Sequence, residues 1–287
     1  SEKNGMMEEK WKFDGNYIIL KKPLIVGILN ITPDSFYDGG KFIDFEKAIE
    51  RGKEIIKEGA DIIDIGGEST RPGSEPVSEK EEMERVIPVI KELVKENVIV
   101  SCDTYKSRVA EKAIESGAKL INDISALRMD EKLIDVIKRS DCGYVLMHMK
   151  GTPKDMQKNP YYTDTIGEIT DFFHEKLELI EKNGIDLERV VIDPGIGFGK
   201  RVIDNLIILK KLDEFKKLGR PIFIGTSRKS FIGAVLNVEV DQRLEGSIAT
   251  VVYAYIKGAK IFRVHDVKET KRVIDIIWAI ENESNWA

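Results

Sequence analysis

A chain of 287 residues, 42% apolar and 33% charged, has enough hydrophobic material for a large core, and those proportions exclude a disordered protein. Its apolar runs are too short to cross a bilayer, and 45 basic against 50 acidic residues, a net charge of −5 with no basic block, argue against a nucleic-acid partner. Cys102 and Cys142 form no CxxC pair and lie at no metal-ligand spacing from a histidine, so neither a disulfide framework nor zinc is expected; small-molecule chemistry in the cytoplasm is.

Residues 1–10 lack the apolar core of a signal peptide and read as a disordered or tag-derived start, with 11–287 as a single domain. The segment 11–20, with Asp14-Gly15 at its centre, predicts a β-hairpin. A recurring pattern follows: an amphipathic stretch, a glycine, then a short apolar run. Gly59, Gly117, Gly184 and Gly258 each end a predicted helix in this way. The run after each one is consecutively apolar, as a parallel strand buried on both faces should be. Further strands are predicted over 24–29, 98–102, 144–147 and 221–224. Helices are predicted over 45–57, 79–95, 107–115, 131–139, 166–182, 206–217, 242–257 and 267–280. Eight alternating units predict an α/β fold, a (β/α)8 TIM barrel with the hairpin closing its bottom. An open doubly wound sheet fits less well, because no Gly-rich dinucleotide turn follows the first strand.

In such a barrel the chemistry collects where strands end. Those positions hold Asn30, Glu68 to Arg71, Asp103, Asn122-Asp123, His148, Asp193, Ser227 to Ser230, and Arg263 with His265. Any one of them could be a cap or a turn residue; eight on one rim point to a site. Asp103, Asn122 and Asp193 offer acceptors to a flat heterocycle rich in N–H groups, and Lys229 a donor to a ring carbonyl. Arg71, Arg263 and His265 suit an anion such as diphosphate. The Gly/Pro-containing segments 30–40 and 66–74 read as lids, with Phe36 and Pro72 as apolar surface and Asp34 and Arg71 as charge. His174 reads as a surface residue, and His148 as a rim residue that either shapes the pocket or does not.

Several strings together carry a family resemblance. They include Gly27-Ile28-Leu29-Asn30-Ile31-Thr32-Pro33-Asp34-Ser35-Phe36, Asp38-Gly39-Gly40, and Asp64-Ile65-Gly66-Gly67-Glu68-Ser69-Thr70-Arg71-Pro72-Gly73. Asp193-Pro194-Gly195-Ile196-Gly197-Phe198, Gly225-Thr226-Ser227-Arg228-Lys229-Ser230 and Arg263-Val264-His265-Asp266 complete the set. The chain closely resembles the dihydropteroate synthases of folate biosynthesis, from about residue 24 to the last helix. Tyr37 stands where that family usually has Ser. The resemblance implies a Mg²⁺-dependent transferase that joins 7,8-dihydropterin-CH2-diphosphate to p-aminobenzoate and releases diphosphate. It implies that Asp103, Asn122, Asp193 and Lys229 hold the pterin, with Met147 and Phe198 lining its slot and Gly225 leaving it room. Asn30 would meet the diphosphate through the metal, and Arg263 and His265 would meet it directly. Thr70, Arg71, Phe36, Pro72 and Ser230 would form the p-aminobenzoate pocket, with the arylamine carboxylate at the helix that starts near Ser230. Asp34 and Asp103 would stabilise developing positive charge on the ring. A homodimer is expected chiefly from the same resemblance, with apolar residues of the last two helices, 251–256 and 273–278, as the proposed contact. The alternative is a methyltransferase that passes a methyl group from methyltetrahydrofolate to a corrinoid protein, which would have no need for the anion site.

Overall fold

Gly59 ends the first long helix at φ 115°, donating its N–H to the carbonyls of Ile55 and Ile56, and Gly117, Gly184 and Gly258 also have positive φ in the computed structural model. The model describes residues 8–38 and 42–287. Residues 1–7, most of the predicted disordered or tag-derived start, lie outside the described residues, as do Gly39 and Gly40. The hairpin begins slightly earlier than expected, since Glu9 O accepts from Leu20 N and Lys10 already belongs to a strand.

That hairpin pairs β1 (Lys10–Phe13) with β2 (Asn16–Ile19). Asp14 and Gly15, at φ 53° and 71°, make the two-residue turn that the Asp-Gly pair favours. β3 (Leu24–Asn30) follows, then a one-turn helix α1 (Pro33–Phe36) and a two-residue ribbon of β4 (Tyr37–Asp38) with β5 (Phe42–Ile43). Next come α2 (Phe45–Glu58), β6 (Ile62–Gly66), α3 (Glu79–Leu93), β7 (Ile99–Asp103), α4 (Ser107–Glu115) and β8 (Leu120–Asp123). α5 (Leu133–Arg139), β9 (Gly143–Met147), α6 (Thr165–Lys182), β10 (Val190–Asp193) and α7 (Val202–Lys210) continue the alternation. β11 (Phe223–Ile224), α8 (Ser230–Leu236), α9 (Leu244–Ile256), β12 (Ile261–Val264) and α10 (Val267–Glu281) end it.

Eight strands pair in parallel in the order β10-β9-β8-β7-β6-β3-β12-β11, and a parallel bridge from Ile192 to Ile222 joins the two ends into a nearly closed barrel. The hairpin seals its N-terminal end. Trp11, fully buried, Phe13 and Leu20 pack with Val26, Ile62, Leu120, Val145, Val191, Phe223 and Ile261, one residue from near the start of each strand or its neighbour. The Trp11 indole N–H also needs a partner there, and donates to Arg189 O at 2.8 Å. A plugged bottom leaves the opposite rim as the open end of the barrel.

Two predicted elements are redrawn. The helix expected over 206–217 is α7 followed by a 3-10 segment, Leu212–Leu218. Buried Asp204 accepts from Arg201 N at 2.9 Å and pairs with its guanidinium, so the helix starts at Val202. It breaks at Lys211, and the tighter turn lets Leu212 and Phe215 reach the core. The strand expected over 221–224 contributes only two residues of regular pairing beyond the Ile222 bridge.

Candidate active site

The centre of the rim is organised by Asp64, in the middle of β6 and with no solvent exposure. One carboxylate oxygen accepts from Ser101 Oγ at 2.8 Å; the other accepts from Asn122 Nδ2 at 2.9 Å and Arg263 Nε at 2.8 Å. Arg263 extends a second nitrogen to Asp103 at 3.4 Å. Side chains of β7, β8 and β12, on both sides of β6, are thereby tied to one buried anion.

This arrangement fixes the orientation of Asn122. A carboxylate can only accept, so the amide must turn its NH2 toward Asp64, and its Oδ1 points the other way. That oxygen is buried and has no hydrogen-bond partner. Asn122 borders a narrow slot, partly open to solvent, that is lined also by Met147, Phe198, Asp103, Asp193 and Gly225. Thr70, Lys229 and Arg263 complete it. The Asp193 Oδ1 accepts from Gly195 N at 2.9 Å. Burial raises this carboxyl to about 6 against the pull of Lys229, Lys200 and Arg263. Burial and the neighbouring Asp64 raise Asp103 to about 8, with Arg263 opposing.

Lys229 reaches the slot because of a strained backbone before it. Arg228 sits at φ 57°, unusual for a non-glycine residue. Its N–H donates to Ser247 Oγ at 2.9 Å, its carbonyl accepts from Arg243, and its guanidinium pairs with Asp266 at 2.8 Å. With the turn so held, the Lys229 ammonium stands 4.4 Å from the centre of the Phe198 ring. Burial, followed by repulsion from Arg263, brings Lys229 down to about 8.

His265 is held by Ser227, whose Oγ lies 2.9 Å from Nδ1 and accepts from the His265 N–H at 3.1 Å. Burial, then Arg228, Arg263, Lys229 and Arg71, push it down to about 3, so the ring stands neutral among these cations. Asn30 ends β3 beside Gly66. A β-carbon on Gly66 would lie 3.1 Å from Asp103 Oδ2 and 3.5 Å from Asn30 Oδ1, so the glycine leaves those two oxygens clear.

Of the predicted arylamine residues, Thr70 borders the slot, whereas Arg71, Pro72 and Ser230 are exposed on the rim and Phe36 packs against the core. The Asp34, Tyr37 and Asp38 side chains lie outside what is described. α8 has only seven residues, so its dipole at Ser230 is small. His148 is absent from the slot wall: its Nδ1 is 2.8 Å from Lys200 Nζ and its ring lies edge-on to Phe172. His174 is exposed on α6.

Sequence reasoning missed Asp64, although a lone carboxylate within the run Ile62-Ile63-Asp64-Ile65 was the available signal. It also missed the clamp under the second lid. The Lys106 ammonium bonds Glu68, Glu82 and the Val77 carbonyl, and Glu68 accepts from Val77 N at 2.7 Å, so both ends of the 68–77 segment are pinned.

Residues 26–265 match the family described as pterin binding enzyme. The Bacillus subtilis dihydropteroate synthase is 46% identical over 264 residues, 92% of this chain and 90% of that one. The Xanthomonas albilineans dihydropteroate synthase with 4-aminobenzoic acid superposes with a TM-score of 0.89 at 40% identity, covering 96% of this chain and 98% of that one. A structure of the Xanthomonas albilineans dihydropteroate synthase with 7,8-dihydropteroate gives 0.85 at 38% identity, covering 95% and 98%.

Asp64→Asn tests the organising role of the buried carboxylate. The variant leaves Arg263 with only its longer contact to Asp103, and a broken buried pair is expected to lower unfolding free energy by about 3–5 kcal/mol. Urea unfolding of both proteins measures this. A loss near zero would show that Arg263 is held by something else.

Proposed function

The chain belongs to the family of pterin-binding enzymes, and on that footing we propose how its own residues carry out the reaction. The activity is that of the dihydropteroate synthases, a transferase of folate biosynthesis: 7,8-dihydropterin-CH2-diphosphate and p-aminobenzoate give 7,8-dihydropteroate and diphosphate. The methyltransferase alternative is not favoured by these relatives.

The observation that carries the residue assignment is the orphaned Oδ1 of Asn122, on a residue that lines one slot together with Asp193, Met147 and Phe198. A pterin ring supplies the N–H donors these acceptors lack, and Lys229 donates to a ring carbonyl or nitrogen. Gly225 keeps the floor free of a side chain. Arg263 and the neutral His265 receive the diphosphate, and Thr70, Arg71, Pro72, Phe36 and Ser230 surround the arylamine at the rim.

Substitution then proceeds dissociatively. The C–O bond to diphosphate breaks with its electron pair leaving on oxygen, and the resulting CH2 cation is shared with the ring. The arylamine nitrogen forms the new C–N bond and releases its proton to solvent. Arg263 and His265 stabilise charge on the departing group, and Asp103, with Asp34 by the family resemblance, would offset positive charge on the ring. An arylamine is neutral near pH 7, so no side chain has to act as its base.

Mg²⁺ fits this donor set as a metal shared with the substrate. Among the described residues no group of three or more His, Cys, Asp or Glu could hold a metal alone, but Asn30 offers an amide oxygen that Gly66 leaves clear, and a diphosphate offers more. When bound, the metal neutralises charge on the diphosphate. Buried free thiols at Cys102 and Cys142 support a cytoplasmic enzyme.

A homodimer belongs to this reading. In the helices expected to make the contact Val251, Tyr255 and Ile274 point inward while Tyr253, Ile256 and Ile276 are exposed, and Val202, Ile203 and Leu206 of α7 with Val235 and Leu236 of α8 extend the exposed apolar face of α9. These three helices pack on one another, so the residues are candidates for a shared apolar face.

Three measurements test the reading. Diphosphate release should require p-aminobenzoate; equal release without it would reject the transferase assignment. Pterin affinity should fall about tenfold per pH unit below about 6, because protonation turns Asp193 from an acceptor into a hydroxyl donor facing ring N–H groups. Asp193→Asn should remove that acid limb and cost about 2–4 kcal/mol of affinity at pH 7, both read by calorimetric titration, and wild-type affinity would place the ring elsewhere. Light scattering should give twice the monomer mass, and Ile203→Asp, which enters a two-fold interface twice, should return it to the monomer; monomeric parent protein would reject the dimer.

A further inference from the structure

We propose that Lys200 is a positioning residue of the ring slot, a strut that fixes the loop after β10 to the loop after β9 and so sets the gap between Phe198 and Met147. The inference rests on the assignment of that slot to the pterin ring.

Lys200 has 1% of its surface exposed, yet no carboxylate touches its amine. Nζ lies 2.8 Å from His148 Nδ1, 3.3 Å from the His148 carbonyl and 3.0 Å from the Phe198 carbonyl. The amine thus bonds three polar atoms from two loops, two of them carbonyl oxygens that can only accept. An apolar side chain would fill the same space at lower desolvation cost, so what the amine adds is direction. The acceptors adjoin the slot walls: one carbonyl belongs to Phe198, and His148 is bonded to Met147.

The two loops are in backbone contact along this seam. A β-carbon on Gly195 would stand 1.9 Å from the His148 carbonyl oxygen, and one on Gly199 2.1 Å from that of Lys150. Tyr162 donates to Gly199 O at 2.8 Å, and Gln157 bonds both the N–H and the carbonyl of Lys200. The backbone is thus held from outside while the Lys200 side chain holds it from within. The groups facing the amine are His148, Asp193, Asp204, Lys229 and Arg128. Burial drives both Lys200 and His148 toward their neutral forms.

Steady-state kinetics on Lys200→Met and Lys200→Gln test the proposal. Lys200→Met removes all three donors and should raise KM for the pterin diphosphate about tenfold, the scale of one or two lost hydrogen bonds. At saturation kcat should stay within about threefold, and KM for p-aminobenzoate within about twofold. Lys200→Gln, which retains an N–H donor, should fall between. A folded Lys200→Met with the parent KM for pterin diphosphate overturns the proposal, as does a parallel loss in kcat and both KM values. If neither variant folds, the residue is a folding determinant and the positioning role is rejected. Asp193→Asn serves as the control for the slot itself: unchanged pterin affinity there would sink the slot assignment, whatever Lys200 does.

Discussion

A carboxylate buried in the middle of a parallel strand is expensive unless it is fully paired, and the geometry of this rim follows from how Asp64 is paired. It takes bonds from Ser101 on β7, Asn122 on β8 and Arg263 on β12, so strands from both sides of β6 share one anion. Arg263 is thereby held at its root with its charge already compensated, and Asn122 is turned so that its oxygen has nothing to bond but a ligand. The unmet acceptor in the slot is a consequence of the met one beneath it.

The same burial sets the charge state around the slot. Desolvation pulls every group toward neutrality: Asp193 and Asp103 rise to about 6 and about 8, and Lys229 and His265 fall to about 8 and about 3. An anion arriving beside His265 and Lys229 reverses that pressure, because it favours their protonated forms. Under the proposed reading a diphosphate beside His265 and Lys229 would therefore offset part of the desolvation that these two groups carry.

The parts of this architecture legible in the sequence were those written in local pattern. Glycine after an amphipathic stretch marked the helix ends, Asp14-Gly15 marked the hairpin, and a polar residue closing each apolar run marked the rim. What could not be read depended on partners far along the chain. Asp204 moves the start of α7 by pairing with Arg201, and Lys200 finds its acceptors across a seam of two loops. The charge state of His265 was not legible either, because a sequence shows neither its burial nor the four cations around it. The chain listed the groups around the slot without showing which of them face it: His148 shares the rim but turns away from the ligand.

The site divides into a part fixed by the barrel and a part carried on loops. Asn122, Asp193, Asp103 and Arg263 stand on strands or at their ends, where register sets their positions; Thr70, Arg71 and Pro72 stand on a segment whose two ends are clamped together by Lys106. Between those ends the segment is tied more lightly, by Gly73 N to the Pro153 carbonyl at 2.9 Å and Ser74 Oγ to the Ser69 carbonyl at 2.7 Å. A few backbone-level bonds at the surface cost little to exchange, whereas the clamp below them is a half-buried ammonium with two carboxylates. The part of the rim with least to hold it is accordingly the tip that carries Arg71. Under the proposed reading, strand ends would fix the ring and this tip would meet the arylamine, an arrangement that suits a reaction in which the first substrate is placed before the pocket for the second is complete.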